Sequence, residues 1–259
     1  MTATEKVLGV IPARYESSRF PGKPLALIAG RPMIERVCRQ AGLCRRLDRI
    51  VVATDDERIA ACVKGFGGEV LMTPVDCPTG TDRTALAARA FPAYPVVLNI
   101  QGDEPLLEPE AIDSAVELMF ARPAAGVTTL VRPARSRAEV GDPNYVKVVL
   151  AADGRVLYFS RGQAPFCRSG EMLAEVEGGG AHPWRIHIGL YVWRREALFR
   201  QVSLPLALIE RSEGLEQLRA MHAGIAFYAA DVAETASIGV DQPQDVARIE
   251  ALMREKGFP

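Results

Sequence analysis

Three permanent cations, Arg14, Arg19 and Lys23, lie within eleven residues of Pro12 in LGVIPARYESSRFPGKP (residues 8–24), directly after an apolar run. Guanidiniums grip phosphate oxygens bidentately, and an ammonium supplies a point charge. The stretch therefore reads as a phosphate cradle at a strand end, or equally as a solvated basic loop. It is not a Walker A loop, because Pro24 stands where Ser or Thr would follow the lysine and no glycine lies five residues before Gly22. The dinucleotide fingerprint G-x-G-x-x-G is absent as well.

A carboxylate follows a second apolar run in VVLNIQGDEP (96–105), where Gln101, Gly102 and Asp103 close the strand. Nucleotide-bound Mg²⁺ takes one or two carboxylates and fills its remaining positions with phosphate and water oxygens. Taken alone, Gly-Asp here is more simply a turn before a helix. Asp241 in IGVDQPQDVARIEAL (238–252) stands ahead of Pro243 and an amphipathic segment, and a helix N-cap is its simplest reading. CPTGTDR (77–83) puts Thr79 and Gly80 at a helix start, where free amides can meet an anion or a base edge, or the helix is merely capped. Arg161, His187, Tyr191, Glu216, Gln217 and Arg219 are polar residues on separate late elements that could share a cleft. A single histidine on a strand is more often structural, so the residues alone leave His187 open.

Composition narrows the classes. With 31 Lys plus Arg against 32 Asp plus Glu, the net charge of −1 argues against a nucleic-acid partner. No run approaches the ~20 apolar residues of a membrane span, and the N-terminus lacks a basic-then-apolar leader pattern, so a cytoplasmic protein without membrane insertion is expected. The five cysteines are scattered and form no C-x-x-C, so they are read as reduced and mostly core-filling. The histidines have no zinc-ligand spacing with a cysteine.

The elements that must hold these groups alternate. Strands are predicted at 7–12, 50–54, 69–73 and 95–101, and helices at 32–47, 56–66, 82–91 and 110–121. Continuous apolar strands between helices predict a parallel sheet covered on both faces, with ligands beyond its carboxyl edge. After residue 125 the pattern changes. A hairpin is predicted over 145–161, a strand over 186–193 and a helix over 195–202. A mobile loop is predicted at 169–183, helices at 207–222 and 243–256, and a strand at 225–230. The expectation is one domain, 1–259, with a nucleotide-binding half (1–125), an antiparallel insertion (126–235) and a C-terminal helix (236–259) returning to the core.

The motifs IPARYESSRFPGKPL, VVATDDERI, PTGTDR, NIQGDEP, DPNYVKVVLAADGRVLYFSR, HIGLYVWR, LEQLR and GVDQPQDV occur in the order and spacing of the 3-deoxy-manno-octulosonate cytidylyltransferases, the CMP-Kdo synthetases. The chain resembles that family from about residue 7 to 254. The resemblance implies a three-layer, mostly parallel α/β sheet of the nucleotide-diphospho-sugar transferase (GT-A-like) type with an antiparallel insertion. It implies transfer of CMP from CTP to the anomeric hydroxyl of Kdo, giving CMP-Kdo and pyrophosphate for lipopolysaccharide assembly, by a homodimer. Arg14, Arg19 and Lys23 would hold the triphosphate, Arg14 and Lys23 also acting in catalysis. Pro12, Ala13, Thr79, Gly80, Arg83 and Gln101 would complete the nucleotide site. Asp103 and Asp241 would be the catalytic Mg²⁺ ligands. Gln101, Arg161, His187, Tyr191, Glu216 and Gln217 would line the sugar pocket, with Arg161 toward the acid's carboxylate.

Three segments depart from the family pattern. LPLALIERSEG replaces a Ser/Thr-Pro-Leu-Glu stretch, with Glu210 in register, VDQPQD replaces the more usual VDTPED while keeping both aspartates, and 166–183 matches nothing. These changes touch the sugar side more than the nucleotide side. A related acid, 8-amino-Kdo or a nine-carbon sialic-like acid, is therefore an alternative substrate, and a metal-dependent glycosyltransferase a more distant one.

Overall fold

The computed structural model describes residues 5–16, 19–168, 170–232 and 239–257. The chain divides into two compact units, Met1–Asp113 with Trp193–Leu198 and Thr235–Pro259, and Ser114–Val192 with Phe199–Glu234. The first division thus falls at 113/114, where the sequence suggested a change near 125. Residues 236–238 of the expected C-terminal segment lie outside the described residues.

The first unit is built on four parallel strands, β1 (Val7–Ala13), β4 (Arg49–Thr54), β5 (Val70–Met72) and β6 (Val96–Asn99), in the order β6-β1-β4-β5. Val7, Leu8, Val10 and Ile11 are buried along β1, and all four residues of β6 are buried. Burial on both faces is what a continuous apolar run requires, and the parallel register follows from the intervening helices. Those helices are α1 (Met33–Gly42), α2 (Glu57–Gly65) and α3 (Gly80–Ala90). Asp56 caps α2, accepting from the amides of Arg58 and Ile59. Helix α1 stops five residues short of the predicted 47. The buried Asp113 carboxylate accepts from the Arg45 and Arg46 amides at 3.1 and 3.0 Å, pulling them out of helical pairing.

A tight hairpin between β1 and α1, absent from the sequence reading, joins β2 (Leu27–Ile28) to β3 (Arg31–Pro32). Its turn residues Ala29 and Gly30 both have positive φ, 45° and 78°, which suits a two-residue hairpin but strains an alanine. The Arg36 guanidinium steadies it by donating to the Ile28 and Ala29 carbonyls at 2.6 and 3.0 Å. Against it packs α10 (Pro243–Lys256), whose Ile249 and Met253 share a core with Ile28, Met33, Leu106 and Val240.

The second unit takes most of α4 (Pro109–Ala121) and holds β7 (Val127–Pro133) parallel to β11 (Phe227–Asp231). After the short α5 (Arg137–Gly141) come the antiparallel pair β8 (Lys147–Leu150) and β9 (Val156–Ser160), with β10 (Arg185–Arg194) antiparallel to β8. This is the predicted antiparallel addition to a mostly parallel α/β protein. The 169–183 stretch is not a bare loop, since it contains α6 (Met172–Gly178), anchored by Val176 beside Trp184 and Ile186. Following α7 (Arg195–Ser203), the single helix predicted at 207–222 is two, α8 (Leu208–Glu213) and α9 (Gln217–His222). Gly214 breaks them at φ 60°, the left-handed cap that ends a helix. The cysteines are free, but only Cys44 is buried and the other four are partly exposed, so fewer fill the core than the sequence suggested; burial pushes the Cys38 and Cys44 thiols up to about 12. Among the described residues no helix is long and apolar enough to cross a membrane.

Candidate active site

Parallel strands deliver their following loops to one edge, so the segments after β1 and β6 meet in the first unit. Gly102 makes the meeting close: a Cβ there would lie 3.0 Å from the Pro12 carbonyl oxygen. The basic loop is closed by the Gly22 amide donating to the Tyr15 carbonyl at 2.8 Å, with Gly22 at φ 72°. Gly22 opens the 3₁₀ turn Lys23–Leu25, which fixes where the lysine starts.

Asp103 and Asp241 converge on that lysine. The Lys23 ammonium lies 2.6 Å from Asp103 Oδ2 and 4.0 Å from Asp241 Oδ1, while Arg19 Nη2 donates to the same Asp241 oxygen at 2.9 Å. The Val240 amide donates to the Asp103 carbonyl oxygen at 2.9 Å, tying the two acidic segments by backbone. Asp241 is not the helix cap expected from its position. Gln242 is the N-cap, and Asp245 Oδ2 accepts from the amides of Asp241 and Gln242 at 2.8 Å each. The Asp241 carboxylate is thereby left to ionic contacts.

These groups border a cleft of about 470 Å³. Arg14, Arg19 and Lys23 face it with Asp103 and Asp241, and Pro12, Ala13, Thr79, Gly80 and Gln101 form other parts of its wall. Every residue expected at the nucleotide and metal site thus lines one cavity. Arg83 lines it too, but its guanidinium is buried and engaged, donating to Asp55 Oδ2 at 2.8 Å and to the Thr73 hydroxyl. The Thr79 hydroxyl is also occupied. It donates to Asp82 Oδ2 at 2.6 Å and accepts from the Asp82 amide at 3.1 Å, capping α3. Pro24, Cys77, Pro78 and Gly102 also line the cleft without having been singled out; the motifs around them contained the signal.

A divalent cation can be tested against this geometry. Two carboxylates already share one ammonium, so they converge on a point a small cation can occupy. Among the described residues no group of three or more His, Cys, Asp or Glu side chains could hold a metal. Two carboxylates with phosphate and water completing the shell is the usual arrangement for nucleotide-bound Mg²⁺, and the residues fit it.

The residues expected at the sugar lie in the second unit, apart from Gln101. The Arg161 guanidinium donates from Nε to the Glu213 carbonyl (2.7 Å), from Nη1 to Pro143 (3.0 Å) and from Nη2 to Gly214 (3.3 Å), so three of its five N–H groups are used. The Glu213 carboxylate accepts from the Arg161 amide and the Ser160 hydroxyl, at 2.8 and 2.9 Å. Lys147 is fully buried, and its ammonium donates to the carbonyls of Asp142, Tyr145 and Arg161 at 2.6–2.8 Å. Desolvation pushes its pKa down.

His187 Nε2 lies 2.8 Å from Thr129 Oγ1, whose single proton goes to the Leu190 carbonyl at 2.6 Å. His187 therefore carries its proton on Nε2 and presents Nδ1 as an acceptor. Burial pushes its pKa down to about 3, so the ring is neutral. Phe159 and Tyr191 flank it, with ring centroids at 5.0 and 5.3 Å. Gln217 is buried at the start of α9 and Glu216 precedes it, its carbonyl accepting from Gln201 Nε2 at 3.2 Å. Glu210 and Arg219 form a two-point ion pair at 2.6 and 2.8 Å that joins α8 to α9. Glu213 and Lys147 were not anticipated; an acidic residue three positions after Glu210 and a lysine in an apolar strand are the signals that could have found them.

Comparison with known proteins agrees with this chemistry. A family model described as cytidylyltransferase matches residues 8–232. The chain is 47% identical over 254 residues to a 3-deoxy-manno-octulosonate cytidylyltransferase of Syntrophotalea carbinolica, covering 96% of this chain and 98% of that one. It is 45% identical to one of Myxococcus xanthus, covering 97% and 98%. A solved structure of CMP:2-keto-3-deoxy-manno-octonic acid synthetase complexed with CTP superposes with a TM-score of 0.89 at 39% identity, covering 97% of this chain and 99% of that one. Matched over residues 8–232 by the family model and along nearly its whole length by these relatives, the chain belongs to the cytidylyltransferase family.

Proposed function

We propose that this protein transfers CMP from CTP to the anomeric hydroxyl of 3-deoxy-D-manno-octulosonate, releasing pyrophosphate, with Mg²⁺ as the cation. The names of the relatives and the CTP complex of the solved neighbour support the reaction. The observation that carries it is the convergence of Asp103 and Asp241 on one cation beside Arg14 and Arg19 in a single cleft.

Arg14, Arg19 and Lys23 bind the triphosphate, with the guanidiniums orienting oxygens and the ammonium neutralising charge on the pyrophosphate that leaves. The walls at Ala13, Thr79 and Gly80 take the base, with main-chain groups at 79–80 reading its edge because the Thr79 hydroxyl is committed to its cap. Arg83 braces that wall through Asp55. Asp103 and Asp241 hold Mg²⁺, which when bound lowers the pKa of the attacking hydroxyl and offsets charge at the α-phosphate. The new bond joins the sugar oxygen to the α-phosphorus, the bond to the β-phosphate's bridging oxygen breaks, and the hydroxyl proton passes to solvent. No covalent enzyme intermediate is needed, so orientation and electrostatics supply the rate.

In the second unit, Arg161, His187, Tyr191, Glu216 and Gln217 recognise the sugar acid. Arg161 retains two N–H groups for a carboxylate, and neutral His187 offers Nδ1 to a sugar hydroxyl. A homodimer in the cytoplasm is part of the same reading. The deciding assay measures pyrophosphate release from CTP and Mg²⁺ with Kdo, 8-amino-Kdo and a nine-carbon sialic acid as separate acceptors. Kdo is expected to give the highest kcat/KM. Release with none of the three, or release of a nucleoside diphosphate from a nucleotide sugar, defeats the proposal.

A further inference from the structure

Lys23 is placed where two of its roles exclude each other. Its ammonium contacts Asp103 and approaches Asp241 with the side chain only 17% exposed, so it is enclosed between the carboxylates and is no loose surface ion pair. The same two carboxylates are the proposed cation ligands, and Lys23 is also a proposed phosphate contact. A small divalent cation held by both carboxylates would lie close to the ammonium that is now 2.6 Å from Asp103 Oδ2, and the like-charge repulsion is relieved when the lysine withdraws. Without any cation, two carboxylates aimed at one point repel each other.

We propose that Lys23 is a placeholder cation, a positioning residue that keeps Asp103 and Asp241 gathered before substrate arrives and yields their shared point when CTP brings the metal. This rests on the reading of the two aspartates as metal ligands. The triphosphate supplies the alternative partner that draws the ammonium away, so departure from the aspartates and arrival at the phosphates are one movement of one side chain. Arg19 duplicates part of the contact at Asp241, but with a side chain 61% exposed it is screened by water and competes weakly. The consequence is an order of events. The cation binds poorly to the free enzyme and well once the nucleotide is present, because the chain's own cation must first be displaced.

The test uses Mn²⁺ as probe with the full-length protein, following free Mn²⁺ by electron paramagnetic resonance without nucleotide. Lys23→Met and Lys23→Gln are expected to bind Mn²⁺ at least about tenfold more tightly than wild type, since an enclosed competing charge is removed. Both are expected to bind metal-free CTP more weakly. Thermal melts establish that each variant is folded, and the two substitutions differ enough that one serves if the other fails. Unchanged or weaker Mn²⁺ binding in the folded neutral variants overturns the placeholder role. Adding Asp103→Asn or Asp241→Asn to Lys23→Met should abolish the gained affinity. If the gain persists with both aspartates replaced, the metal assignment itself falls, an outcome distinct from failure of the lysine alone.

Discussion

The Val240 amide and the Asp103 carbonyl oxygen are joined by a 2.9 Å hydrogen bond, so the turn after β6 and the approach to α10 are laced by main chain. Side-chain substitutions at 103 and 241 therefore leave the join itself intact. The chemistry of the two carboxylates can be altered separately from the scaffold that presents them.

Asp241→Asn is the most direct use of that separation. Asp241 is not the cap of α10, and its pair with Arg19 is exposed on both sides, so stability should change by no more than about 0.5 kcal/mol. Turnover should fall by about two orders of magnitude through loss of one charged ligand near the reacting phosphate. Thermal melts and pyrophosphate release read the two quantities independently. A melting loss that tracks the activity loss would make Asp241 a structural residue.

Arg83 should behave in the opposite way. Its buried guanidinium is the partner of Asp55, and removing it leaves a largely buried carboxylate alone. Arg83→Met is expected to cost about 3–5 kcal/mol, with part recovered by adding Asp55→Asn. CTP affinity of the double variant, measured calorimetrically, should stay close to wild type. A large affinity loss with the fold restored would show that Arg83 touches the nucleotide directly.

The contrast between these two residues marks how far the sequence could be read. Which segments meet was legible, because apolar strands alternating with helices force a parallel sheet and its following loops share an edge. Which charges pair was not. Lys23 reaches Asp103 only because Gly22 adopts φ 72° and the loop closes on Tyr15, and Arg83 looks like a ligand until Asp55 is seen beside it. Strand β7 is not legible in the sequence because Thr128 and Thr129, directly after its first residue, interrupt the apolar run. Both hydroxyls are satisfied inside, on the Ala115 and Leu190 carbonyls. The 207–222 segment read as one helix because its apolar spacing continues through Gly214. Gly214 ends the first helix by its left-handed φ of 60°, and the Glu213 and Gly214 carbonyls at the break accept from Arg161.

His187 gives a prediction in pH. Burial lowers its folded pKa from 6.5 to about 3, so between those values the unfolded chain takes a proton that the folded chain refuses. Its contribution to stability is therefore complete above about pH 7 and is lost progressively as pH falls toward 3. His187→Gln should flatten this part of a urea-stability profile measured from pH 7 to 4. In the wild type, the imidazole proton and carbon resonances should not titrate between pH 8 and 5. A midpoint near 6.5 in the folded protein would refute the neutral, Nε2-protonated assignment.

Lys147 carries an expectation about the Arg161 turn. Three main-chain carbonyls lose their donor if the ammonium is removed, and each orphaned buried acceptor costs about 1–3 kcal/mol. Lys147→Met should therefore lower stability by several kcal/mol, a loss at least comparable with that of Arg83→Met. Urea denaturation checks it. A loss below about 1 kcal/mol would mean that water replaces the ammonium without cost.

Gly102→Ala separates position from charge. The added methyl would sit 3.0 Å from the Pro12 carbonyl oxygen, a backbone atom at the end of a central strand, so the turn bearing Asp103 must yield instead. Displacement by a few tenths of an ångström should cost about 1–2 kcal/mol of stability, typical of mild overpacking. The larger effect should be on kcat, because the carboxylate moves relative to Lys23 and Asp241 while all charges remain present, and small misplacements in a positioned site are expensive. KM for CTP should change less, since the cations that grip the triphosphate start from a different loop. Steady-state kinetics alongside a thermal melt distinguish the outcomes. An unchanged kcat with lowered stability would mean that Asp103 reaches its place by side-chain freedom alone, and that the close approach of Gly102 to Pro12 serves packing without serving the reaction.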